Sequence, residues 1–200
     1  MAGLLARKIE MTRVIKDDRF IPVTLLEVPQ MQVVGYKTAE KDGYSAVIVG
    51  IVKKEKAELA SDKKGLNAKS FSIIKEFPIE QSNEGVKEIG SEVGFDDLDW
   101  VEVVTITSIS KGHGFSGAMK RHNFSGGPGS HGSKFHRALG SIWNRKPVRT
   151  HKGKKMHGHY GVDTVTLRDV KLEIINKQAG IIAVRGPVPG ARNSLVNIYL

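Results

Sequence analysis

The run Trp100-Val-Glu-Val-Val-Thr-Ile-Thr107 decides the fold class. It is dominated by β-branched residues, and its apolar and polar positions alternate with the period of a half-buried strand. Val101, Val103 and Thr105 are expected on the buried side, with Glu102 facing solvent. Towards the N-terminus, Ile21-Pro-Val-Thr-Leu-Leu-Glu-Val28 reads as a strand stopped by Pro29. Met31–Thr38 and Tyr44–Val52 read as two more, separated by the turn signal Lys41-Asp42-Gly43. Towards the C-terminus, Thr164–Ile175 and Ile181–Arg185 bracket a hairpin loop, Asn176-Lys-Gln-Ala-Gly180, and Leu195–Leu200 reads as a last short strand. One helix is expected at Lys54–Asn67, where Ala, Glu, Lys and Leu dominate. Many short strands and few helices predict a mainly β chain, a small barrel in preference to a βαβ sheet.

Beyond Thr107 the sequence changes in kind. Asp and Glu are absent from Val103 through Val162, a run of 60 residues. Within it, 111–160 carries 11 Lys and Arg: Lys111, Lys120, Arg121, Lys134, Arg137, Arg145, Lys146, Arg149, Lys152, Lys154 and Lys155. The other 20 bases of the chain are balanced by its 21 acids, so the formal charge of +10 resides in this quarter of the molecule. All seven histidines lie there too: His113, His122, His131, His136, His151, His157 and His159. A merely solvated surface would intersperse acids with bases; this segment does not, and the pattern points to a polyanionic partner. The segment also holds ten of the 22 glycines, and its apolar residues follow no sustained period. Such a stretch is not expected to offset its own ordering entropy, and phosphate contacts to an RNA would supply the difference. The expected organisation is a β-domain made of 1–110 and 161–200, with 111–160 as a basic Gly/His-rich extension.

Composition limits the alternatives. The chain has 200 residues and about 40% hydrophobic residues, enough for one domain with a core. It has no cysteine, which removes disulfides, thiolate metal sites and a cysteine nucleophile. The apolar run at the N-terminus is too short for a signal peptide, and no stretch approaches the roughly 20 apolar residues of a membrane span. A soluble, cytoplasmic protein is expected, without membrane contact.

Several motifs carry competing readings. Gly112-His-Gly114-Phe-Ser-Gly117 fits the dinucleotide pattern, but no acid follows before Asp163 to hold a ribose; glycines there suit close approach to RNA backbone. Gly127-Pro-Gly-Ser-His-Gly132 is followed by Ser133-Lys134, the reverse of the order a P-loop needs. His157-x-His159 and His131-x4-His136 could be ligand pairs, yet the segment offers neither Cys nor carboxylate to complete or orient a zinc site. Histidines in this setting suit stacking on bases or bonding to phosphate and 2′-hydroxyl groups. Two histidines and a lysine could also serve an RNA-cleaving enzyme, which needs them fixed on rigid elements. Lys152-Gly-Lys154-Lys155-Met156, beside Arg145, Lys146 and Arg149, reads as a phosphate-tracking run. Trp143 is either a packing anchor or a base-stacking platform. No cofactor, metal or small-molecule substrate is assigned.

The chain resembles the universal large-subunit ribosomal protein L-three family, bacterial type. The resemblance begins at Gly3-Leu-Leu-Ala-Arg-Lys-Ile-Glu-Met-Thr-Arg13 and runs through Ile21–Val28 and Asp42-Gly-Tyr-Ser-Ala-Val47. It is strongest at Ser110-Lys-Gly-His-Gly-Phe-Ser-Gly-Ala-Met-Lys-Arg-His-Asn-Phe124. Gly127–Ser133, His136-Arg137, Gly140-Ser-Ile142, Lys152–Met156 and Val184-Arg-Gly-Pro-Val-Pro-Gly190 complete it. Only 53–95 matches weakly. The resemblance implies a six-stranded β-barrel of translation-protein type with one or two short helices, and a structural, non-catalytic role on the ribosome. It implies binding to large-subunit rRNA early in assembly, an extension reaching towards the peptidyl transferase centre, and neighbouring large-subunit proteins as partners. The residues assigned to rRNA are Arg7, Lys8, Arg13, Lys111, His113, Lys120, Arg121, His122, His131, Lys134, His136, Arg137, Trp143, Arg145, Lys146, Arg149, Lys152, Lys154 and Lys155. The chain departs from the bacterial pattern at Trp143, where many members have Gly, and 143–151 is one residue shorter. No Gln occurs in 111–160, so the glutamine methylation known at this tip in some bacteria is expected to be absent. The alternative function is an RNA-cleaving enzyme or a non-ribosomal RNA-binding translation factor.

Overall fold

A computed structural model describes residues 3–53, 70–79, 87–146 and 148–200. The expected helix at 54–67 lies outside the described residues. The chain divides into two compact units, Met1–Ile109 with Thr164–Leu200, and Ser110–Asp163.

The first unit is mainly β. Its strands are β1 (Gly3–Lys16), β2 (Arg19–Glu27), β3 (Met31–Lys37), β4 (Ala46–Val52), β5 (Phe71–Pro78), β6 (Glu92–Val93) and β7 (Val103–Ile109). After the second unit, which holds β8 (Gly114–Ser116) and β9 (Gly158–Tyr160), it continues with β10 (Thr164–Asn176), β11 (Ile181–Arg185) and β12 (Leu195–Tyr199). Six of these strands pair in the closed order β1-β12-β7-β10-β11-β2, so none of the six is left with an unpaired edge. Register shifts accompany the curvature: one between Lys8 and Met11 on β1, another between Leu167 and Val170 on β10, where Asp169 takes φ 55°. The other four form a sheet in the order β5-β4-β3-β6.

The two sheets share one core. Leu4, Leu5 and Ala6 are all fully buried although they are consecutive, which a strand with one wet face would forbid. The start of β1 is therefore covered on both faces. The Leu5 amide meets the Met31 sulfur of β3 at 3.3 Å, and the Phe77 ring of β5 stands edge-on to Tyr199 of β12 at 5.4 Å. Ile106, Ile182, Val184, Val196 and Ile198 belong to the same core. The loop Gly186-Pro-Val-Pro-Gly190 packs Val188 into it. Its carbonyls accept bonds from Thr24 Oγ1 at 2.6 Å, Ser108 Oγ at 2.7 Å and Lys8 Nζ at 2.5 Å. Those buried hydroxyls are thus satisfied by a loop whose two prolines lack N–H donors of their own.

Some sequence expectations need correction. In β7 the buried positions are Val104, Ile106 and Ser108, whereas Val103 is 45% exposed. Within β7 the inward phase is the opposite of that expected from Val103 and Thr105, while Val101, ahead of the strand, packs against the core and Glu102 is exposed, as expected. Two adjacent valines, Val103 and Val104, leave the alternation ambiguous, and the strand starts only at Val103. Thr107 faces outward, its hydroxyl 2.9 Å from that of Thr166 on β10. Neither β1 nor β5 is expected as a strand from its sequence pattern. The turn signal at 41–43 appears as the short helix α1 (Ala39–Asp42), capped by Gly43 at φ 80°. The hairpin between β10 and β11 forms as expected, with Asn176 Oδ1 accepting from the Ala179 amide at 3.0 Å.

Candidate nucleic-acid interface

The chain leaves β7 at Ile109 and re-enters β10 at Thr164, and these two residues are cross-strand partners. The second unit is thus an insertion between adjacent antiparallel strands, an arrangement whose closure entropy grows only logarithmically with length. Its base is zipped from within: the Ser110 amide donates to Asp163 O at 2.9 Å, the Asp163 amide to Ser110 Oγ at 3.1 Å, and the His113 amide to Tyr160 O at 2.8 Å. A two-stranded ribbon follows, β8 (Gly114–Ser116) against β9 (Gly158–Tyr160). Then comes one five-residue helix, α2 (Ala118–His122).

Side chains of α2 hold the ribbon in place. Arg121 Nη1 donates to the Met156 carbonyl at 2.9 Å, and His122 Nε2 lies 3.0 Å from the same oxygen. Further on, a loop closes between Gly127 and His136. The Gly127 amide donates to His136 O at 3.0 Å, and His136 Nδ1 is 3.0 Å from Pro128 O. A Cβ at Gly127 would collide with the Phe135 carbonyl oxygen, so glycine here lets chain pack on chain. These closures give the segment internal hydrogen bonds although its apolar residues follow no period. Its glycines, amides and carbonyls supply local order that hydrophobic periodicity could not reveal.

What the unit lacks is a core. Among its described residues only Ser116, Ala118 and Gly161 are buried. Ten of its 11 Lys and Arg are exposed, Arg121 being the half-buried exception. The only acid in the unit is Asp163 at its end. Cations crowded without acids repel one another in the isolated chain, and a polyanion relieves that repulsion.

The expected site residues fall into distinct groups. Lys120, Arg121 and His122 share α2; His131, Lys134, His136 and Arg137 lie on or beside the 127–136 loop. Arg145, Lys146, Arg149, Lys152, Lys154 and Lys155 lie on irregular exposed chain, and Lys111 and His113 lead into β8. Trp143 is 54% exposed. His113 stacks on Tyr160 at 4.9 Å. His113, His122 and His136 therefore already have partners within the unit, beyond any they make outside it. Arg7, Lys8 and Arg13 belong to the first unit. Arg7 is exposed on β1, and the Arg13 guanidinium lies 4.7 Å over the Phe20 ring. Lys8 donates to the Val188 and Gly190 carbonyls, which gives it a place in the fold. No group of three or more His, Cys, Asp or Glu among the described residues is arranged to hold a metal ion. Among them also, no helix is long and apolar enough to cross a membrane. Phe115, 76% exposed on β8, is absent from the residues expected to contribute; it follows no apolar period that would flag it.

The family model for ribosomal protein L3 matches residues 47–184. The chain is 43% identical over 201 residues to large ribosomal subunit protein uL3 of Thermosipho africanus, covering 99% of this chain and 97% of that protein. The uL3 proteins of Thermotoga petrophila and Borreliella afzelii are 43% and 42% identical, with 99% and 98% of this chain covered and 96% and 97% of theirs.

Proposed function

The chain belongs to the ribosomal protein L3 family, and from that premise we propose that it is a structural component of the large ribosomal subunit whose second unit binds large-subunit rRNA. The observation that carries this is the pairing of ten exposed cations with the near-absence of acid and core in Ser110–Asp163. Affinity comes chiefly from phosphate contacts by Lys111, Lys120, Lys134, Arg137, Arg145, Lys146, Arg149, Lys152, Lys154 and Lys155. Arg121, His113, His122 and His136 shape the surface that presents them, while His131 and Trp143 are open to contact bases or backbone. Arg7 and Arg13 add cationic contacts from the first unit, and Lys8 serves the fold. The six-stranded ring acts as a barrel of the translation-protein type, a rigid base that offers surface to neighbouring large-subunit proteins. The role is architectural and belongs to the cytoplasmic ribosome and its early assembly; no cofactor or small-molecule substrate takes part.

Sedimentation of cell extract through a sucrose gradient after a high-salt wash tests this reading. The chain is expected to travel with the large subunit. Its appearance only at the top of the gradient would refute the proposal.

A further inference from the structure

The β8–β9 ribbon carries a ring that no internal packing explains. Phe115 is a cross-strand partner of His159, so their side chains rise from the same face about 5 Å apart at Cβ. The Phe115 ring lies 5.4 Å from that of His157, tilted by 53°, so the imidazole flanks the ring without covering it. Two residues on, at the start of α2, Gly117 has open space where a Cβ would be. A phenyl ring 76% exposed thus has one imidazole beside it and a second on its cross-strand partner. The ribbon is anchored from behind, because Arg121 and His122 both grip the Met156 carbonyl just before His157. The exposed ring thus stands on a ribbon tied to α2 by side-chain hydrogen bonds.

We propose that Phe115, flanked by His157 and His159, is a stacking platform for an unpaired nucleobase of rRNA. This rests on the reading of the second unit as an rRNA binder. The choice of a base as occupant follows from charge: the unit carries 11 Lys and Arg against the single Asp163. A polyanion held by those cations brings bases within reach of the ring, and every base has a π-face to offer. Single-stranded RNA recognition commonly pairs phosphate contacts with rings presented on strands. Phosphate contacts alone would give affinity with no preference for an unpaired nucleotide; Phe115 would supply that preference.

Full-length protein bound to large-subunit rRNA, with the rRNA then probed by a base-modifying reagent, tests the assignment. Phe115→Ala and Phe115→Leu are each expected to weaken binding by about 5- to 150-fold. Both should expose one or two bases that the wild type protects, with the salt dependence of binding unchanged. Phe115→Trp should restore both affinity and protection. Phe115→Leu keeps apolar bulk and loses only the π-face, so a Leu variant that behaves as wild type overturns the proposal. So does an unchanged footprint in Phe115→Ala. Wild-type protein that fails to bind rRNA at all overturns the parent reading and this inference with it; wild-type binding with indifferent variants overturns this inference alone.

Discussion

At the residue scale, the same cationic side chain does different work according to where its strand puts it. Lys8 and Arg7 are neighbours on β1, yet Arg7 is exposed while Lys8 turns its ammonium onto the Val188 and Gly190 carbonyls. Charge counting cannot separate the two, because the separation comes from the loop Gly186–Gly190, 180 residues away in sequence at Val188. Replacing Lys8 by Met leaves those carbonyls without their donor. It should lower stability by about 1–3 kcal/mol, measured as a shift in the urea midpoint, with rRNA binding intact once folded. A Lys8→Met protein with wild-type stability would return Lys8 to the rRNA surface. Histidine and glycine show the same limit on reading from sequence. That His136 closes on Pro128 O, and that Gly127 abuts Phe135 O, depends on a loop path that composition does not encode.

At the element scale, strands that are runs of β-branched and aliphatic residues ending at turn signals are legible in the sequence and the others are not. β2, β3, β4, β10, β11 and β12 lie within a few residues of their expected positions because β-branched runs end at turn residues. β1 escapes notice because charges at Arg7, Lys8, Glu10 and Arg13 interrupt any alternation, and its far half pairs with β2 as a ribbon wet on both faces. A small polar cluster ties β3 to β5. Lys37 Nζ pairs with Glu76 at 2.9 Å, and Tyr44 donates to Glu76 at 2.7 Å. The Tyr44 hydroxyl, and after it Lys37, hold the Glu76 carboxyl below the usual carboxylate range. A lowered carboxylate contributes stability above its unfolded pKa and loses it as pH falls through the folded value. Glu76→Gln should therefore flatten the decline in stability below about pH 4, read from urea midpoints at a series of pH values. An acid limb identical to wild type would mean the cluster is too well solvated to matter. In the second unit, short elements without buried apolar faces should open readily. Limited proteolysis of the free protein is expected to cut first within 111–160, leaving the strands of the first unit associated. First cuts within β2, β7 or β12 would contradict that order of stability.

At the scale of the whole molecule, the charge segregation is legible in the sequence and the architecture only in outline. Sixty residues without an acid set apart, from composition alone, the unit proposed to bind rRNA, since a charge excess survives whatever the local fold. Closure of the six-strand ring is not legible. It depends on Gly3 meeting Tyr199 and on Arg7 meeting Leu195, pairings between the two ends of the chain that no local pattern announces. Nor does any local pattern reveal that the insertion begins and ends on the paired residues Ile109 and Thr164. The central claim is that exposed cations of the second unit bind rRNA phosphates, releasing counterions. It is tested most directly by the salt dependence of binding between the full chain and large-subunit rRNA. If about eight of the basic residues reach phosphates, log K should fall against log salt with a slope near −6, using roughly 0.7 per contact. A flat response across about 50–200 mM salt would contradict the account.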